Sequence, residues 1–118
     1  MKLTQTIIPL GQALSNPINL RGKKLIGLIM PEAWTAAEIT FALSVDGQNW
    51  RNVFNMSGAE VSIAPAASQY IVTDYSFPGS WDETGGPVPD SWWMRLRSGS
   101  SATPVVQTQE TSILLVTQ

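Results

Sequence analysis

Glu38-Ile39-Thr40-Phe41-Ala42-Leu43-Ser44-Val45-Asp46-Gly47-Gln48-Asn49-Trp50 decides the fold. Its period is two: Ile39, Phe41 and Leu43 fall on one face, Thr40, Ala42 and Ser44 on the other. Asp-Gly after it supplies the positive φ angles of a tight turn, and Trp50 opens a second strand. The stretch predicts a β-hairpin over 38–45 and 50–56.

Outward from this hairpin the same pattern recurs. Thr4–Pro9 alternates weakly. Lys24–Met30 is a continuous apolar run stopped by Pro31, as suits a strand covered on both faces. Val61–Ile63 and Tyr70–Thr73 flank a small-residue segment. Trp92–Ser98 sets Trp92, Met94 and Leu96 against Trp93, Arg95 and Arg97. Ser112–Thr117 closes the chain, with Leu114 and Val116 apolar beside Ile113 and Leu115, so both faces are expected to be covered there. Pro31–Ala37 has proline in an N1-like place and predicts at most one helical turn. The stretch 74–91, rich in Gly and Pro, reads as one long loop, and such loops are often functional.

The expected fold is therefore all-β: a single antiparallel β-sandwich of jelly-roll type over 1–118, with seven to eight strands and one long loop. Residues 1–10 form an arm or an edge strand, because Pro9 and weak alternation make a poor central strand. Ile39, Phe41, Leu43, Met94, Leu96, Ile113 and Leu115 face inward. A chain of 118 residues buries roughly two-thirds of its unfolded surface, enough for a core without staples.

Composition narrows the chemistry. Histidine and cysteine are both absent, which removes Ser-His-Asp and cysteine nucleophiles, disulfides, and imidazole or thiolate metal sites. A net charge of -2 with 14% charged residues argues against nucleic acid, which needs clustered positive charge. Arg21, Lys23 and Lys24 read as a solvated turn. No segment approaches a membrane span of about 18 apolar residues, and residues 1–10 lack the apolar centre of a signal peptide. Synthesis in the cytoplasm without a secretion signal is expected.

Asp82, Glu83 and Asp90 lie near Trp81 and Trp92, but neighbouring loop residues do not flank one substrate as the two carboxylates of a glycosidase must. Calcium is disfavoured by the lack of Asp-x-Asp-x-Asp spacing. Arg95 and Arg97 on one strand face suit carboxylate partners across a sheet, with Glu38, Glu60 and Glu110 available. The segment Ser98–Pro104 lacks the Gly-Lys-Ser/Thr ending of a phosphate loop and reads as a turn. No catalytic residue, metal or cofactor emerges, so the chain reads as a non-enzyme.

Five tryptophans remain. Trp50 and Trp92 are expected in the core. Trp34, Trp81, Trp93, Arg95 and Arg97 are the candidate partner interface, since exposed Trp beside Arg is favoured at protein–protein hot spots. The rival is a carbohydrate-binding surface built on Trp34, Trp81, Trp92 and Trp93.

Two strings carry a family likeness: Ala36 to Trp50, and Trp93-Met94-Arg95-Leu96-Arg97-Ser98-Gly99-Ser100-Ser101-Ala102-Thr103-Pro104-Val105. With Gly58-Ala59-Glu60-Val61-Ser62-Ile63 between them, they resemble small structural proteins of tailed bacteriophages and prophages over roughly Leu20 to Thr117. The resemblance implies a β-sandwich located in the virion. Such a protein decorates (cements) the capsid through contacts with the major capsid protein, or belongs to the neck or tail and contacts other virion proteins. Capsid threefold positions make a homo-oligomer, in particular a trimer, the expected state. The resemblance brings no catalytic residues.

Overall fold

The computed structural model describes residues 2–21, 23–77 and 92–118. Among the described residues there is no helix and there are nine strands: β1 (Lys2–Ile8), β2 (Ile18–Asn19), β3 (Leu25–Ile29), β4 (Ile39–Ser44), β5 (Arg51–Asn52), β6 (Ser62–Ile63), β7 (Tyr70–Phe77), β8 (Trp93–Ser98) and β9 (Thr111–Thr117). They form two antiparallel sheets. Sheet A has the order β1-β9-β3-β7; sheet B has the order β2-β8-β4-β5, with β6 also on β4. First pairs with last, second with second-last, third with third-last, and β5 and β6 together occupy one broken position. This folded-over ladder is the jelly roll.

Alternation along β4, β8 and β9 turns one side of each strand into the core. Ile39, Phe41, Met94, Leu96, Ile113 and Leu115 are all buried there, joined by Ile8, Ile18, Leu20, Leu25, Leu28, Met30 and Trp92. Each large side chain so buried stabilises the fold by roughly 1.5–3 kcal/mol. Leu43 points the same way but is only half-buried, because it lines an open cleft of about 420 Å³ at the β5 edge with Val53, Phe54 and Trp92.

Four local expectations are corrected. The β4–β5 connection is not a two-residue turn: only Gly47 of the Asp-Gly pair has positive φ (77°), and β5 starts at Arg51. Asp46 widens the loop, because its Oδ1 accepts from the Gln48 and Asn49 amides at 2.8 Å each and its Oδ2 from the Asn49 side chain at 2.7 Å. Pro31–Ala37 makes no helical turn. Gln107 takes the backbone of Thr35 instead, its Oε1 accepting from the amide at 2.9 Å and its Nε2 donating to the carbonyl at 3.1 Å. Residues 74–77 belong to β7 rather than to a loop, since Phe77 pairs with Leu25; the rest of that expected loop, 78–91, lies outside the described residues. Trp50 lies on the outer side of sheet B instead of in the core.

The turn after β8 follows expectation. Gly99 holds φ at +87° and pairs with Pro104. A Cβ there would sit 2.6 Å from both the Thr103 carbonyl oxygen and the Val105 nitrogen, so the position admits only glycine.

Candidate protein-binding faces

Register sets what each sheet shows to solvent. On sheet B, Trp93, Arg95 and Arg97 alternate away from the core beside Ser44, Ala42 and Thr40 of β4. The Arg95 guanidinium stacks over Trp50 at 5.0 Å from the ring centroid. Trp93 lies against Gly47, where a Cβ would come within 3.2 Å of its ring. Arg97 pairs with Glu60 at 3.5 Å and donates to Asn52 Oδ1 at 2.7 Å. Glu60 in turn accepts from the Ser101 amide at 3.0 Å.

These partners account for a feature that alternation alone does not predict. Thr40, Ala42 and Ser44 face outward yet are buried, because the Trp and Arg side chains roof them. The structure thus brings Trp93, Arg95 and Arg97 together, and it engages each within the chain. Such pre-engaged side chains stiffen the face and leave less of it for a partner.

Trp34 belongs elsewhere. It lies between β3 and β4, packs against the core, and lines a polar cleft of about 270 Å³ with Thr35, Gln107 and Thr108. Its indole Nε1 is buried without an acceptor. Trp81, Asp82, Glu83 and Asp90 lie outside the described residues. Among the described residues no cluster of acidic side chains is arranged to hold a metal ion.

Gln107 organises the loops at this end of the sandwich. It is buried, and its side chain joins Thr35, Ser98 and Thr111. Its own backbone bonds Gln12 and Gly11. One residue therefore ties together the β1–β2, β3–β4 and β8–β9 connections. Nothing local in the sequence marks it.

The outer side of sheet A carries apolar residues that are exposed on its edge strands β1 and β7 and half-buried or buried on β9 and β3 between them. Two rows cross its four strands: Leu3, Val116, Gly27 and Val72, then Gln5, Leu114, Ile29 and Tyr70. Leu3, Tyr70 and Val72 are 51%, 55% and 69% exposed. The Tyr70 ring leans over Gly27, so the glycine leaves no hole in the surface. Gln5 and Ser112 are hydrogen-bonded to each other, and no charged side chain occurs in these rows. Two rows across four strands at their usual spacing make this face roughly 260 Å² in outline. An uncharged apolar patch of that kind is what protein contacts use, since nothing on it must lose a charge's hydration. The sequence reading of the last strand as covered on both faces holds at Val116, which is buried, and in part at Leu114, which is half-buried.

No family model, curated protein or solved structure matches this chain.

Proposed function

We propose that this chain is a non-enzymatic structural protein of a phage particle, a decoration protein that stabilises the capsid through protein–protein contacts. The uncharged apolar outer face of sheet A carries this reading. It is exposed on both edge strands of its sheet, and on the other sheet Arg95 is stacked on Trp50 while Arg97 is paired with Glu60 within the chain. Jelly rolls serve as capsid and lectin domains alike, so the fold by itself favours neither. The likeness to phage structural proteins tips the balance. Its two strings form the adjacent strands β4 and β8 and the turns that leave them. A neck or tail position is the alternative within the virion, and it differs in stoichiometry.

Quantitative mass spectrometry of purified particles, scaled to the major capsid protein, tests the proposal. A copy number near that of the capsid protein is expected for decoration. A dozen or fewer copies moves the chain to neck or tail, and absence from the particle overturns the virion reading. Saturable binding to a glycan array, quenching tryptophan fluorescence, would favour a carbohydrate-binding module instead.

A further inference from the structure

Exposed sheet edges invite pairing, and proteins commonly blunt them. β2, β5 and β6 are only two residues long, and β7 meets β3 across a register shift. β1 is different. Its seven residues run in unbroken register with β9, with one charge, Lys2, and no proline.

Alternate residues of an antiparallel strand turn their backbone groups to opposite sides. Lys24 and Gln118 exchange both backbone bonds, so Gln118, Val116, Leu114 and Ser112 turn theirs toward the β3 side. Leu3, Gln5 and Ile7, opposite the last three, therefore turn theirs away from β9. The Ile7 carbonyl fits this parity: it accepts from the Asn16 amide at 3.0 Å on the far side. Leu3 and Gln5 have no such neighbour among the described residues. Two donors and two acceptors stand in a row at the edge.

We infer that β1 pairs with β1 of a second copy of this chain, antiparallel, about a two-fold axis at Thr4. In this register Leu3 of each copy exchanges both backbone bonds with Gln5 of the other, which makes four hydrogen bonds. Thr4 faces Thr4 across the axis, a favourable cross-strand pair. Lys2 faces Thr6, so the two lysines lie roughly 13 Å apart along the strands. That exceeds the Debye length of about 8 Å at physiological salt. Parallel pairing would set the lysines side by side. A register centred on Gln5 would need Ile7, whose carbonyl Asn16 already holds.

The axis stands normal to the sheet, so both outer faces lie on the same side. Together the two faces make one continuous surface of roughly 520 Å² in outline. A two-fold axis of this kind generates a dimer, not the trimer expected from capsid symmetry. The pairing is independent of the virion reading, and mass spectrometry of particles can fail while it stands.

The test uses two variants of the full chain. Thr4→Cys puts the only cysteine on the axis, in a non-hydrogen-bonded pair with Cα atoms about 4.5 Å apart, which is within disulfide reach. Air oxidation is expected to give a species of twice the chain mass on a non-reducing gel, whereas Thr6→Cys stays single. Gln5→Pro removes an outward amide and leaves the bonds to β9 in place. It is expected to keep the β-type dichroism spectrum and to weaken dimerisation at least tenfold in analytical ultracentrifugation. A wild-type chain that is monomeric at millimolar concentration, a trimer, or a dimer untouched by Gln5→Pro overturns the inference.

Discussion

At the scale of single residues, Asp46 shows how one carboxylate can set a loop. Hydrogen bonds from the Asn49 and Gln48 amides, then from the side chains of Asn49 and Ser44, hold its carboxyl far below the usual carboxylate range. A depressed folded-state pKa stabilises the fold above the unfolded value of about 3.9, and the contribution fades as pH falls through the folded value. Asp46→Asn is therefore expected to melt below the wild type at pH 7, with the gap narrowing steadily under pH 4. Melting curves of both proteins from pH 7 to 2 check this. A gap that stays constant with pH would mean that the carboxylate charge contributes nothing. The motif was legible as a turn from Asp-Gly alone, but its width was not. The side chain's choice of amides beyond Gly47 depends on the loop geometry that β4 and β5 impose.

At the scale of elements, the strands are held in place by groups far apart in the chain. Gln107 uses both its donors and its acceptor oxygen on three other residues, within a buried site. Removing the amide strips bonds from the buried Ser98 and Thr111 hydroxyls and from the part-buried Thr35 backbone, and a buried polar group left unpaired costs about 1–3 kcal/mol. Gln107→Ala is expected to lower stability by about 2–4 kcal/mol in urea unfolding, with little change in the slope. A loss below about 0.5 kcal/mol, the range of an ordinary surface change, would show that solvent replaces those bonds. This node also explains why the 31–37 segment is not helical despite Pro31. A helical turn needs its backbone amides and carbonyls for itself, and Gln107 holds those of Thr35.

Across the whole molecule, the two sheets divide the labour. Sheet B roofs its outer side with Trp and Arg side chains, while the outer face of sheet A exposes uncharged apolar side chains on its edge strands β1 and β7. Val72 is well exposed on that face, so Val72→Lys is expected to change stability by no more than about 0.5 kcal/mol. On the proposed decoration role, cosedimentation with capsids lacking this chain is expected to weaken at least tenfold for Val72→Lys. Phe54→Lys, an exposed apolar residue outside sheet A, is expected to bind as the wild type does. Equal loss in both variants, or none in Val72→Lys, would remove the sheet A face as the contact surface.

The sequence by itself determined the all-β class, the inward sets of β4, β8 and β9, and the glycine turn after β8. Those depend on a period of two and on single-residue φ preferences, which act between near neighbours and are visible in any short window. Only the tertiary structure decided which outward residues are free. Trp93, Arg95 and Arg97 read as exposed because their own strand turns them outward. Gly47, Trp50 and Glu60, which cover or bond them, arrive from other parts of the chain. Leu3, Ile29, Tyr70 and Val72 form one surface because β1, β3 and β7 share a sheet through β9. Pairing of that range is set by the closure of the whole ladder, and no local pattern encodes it.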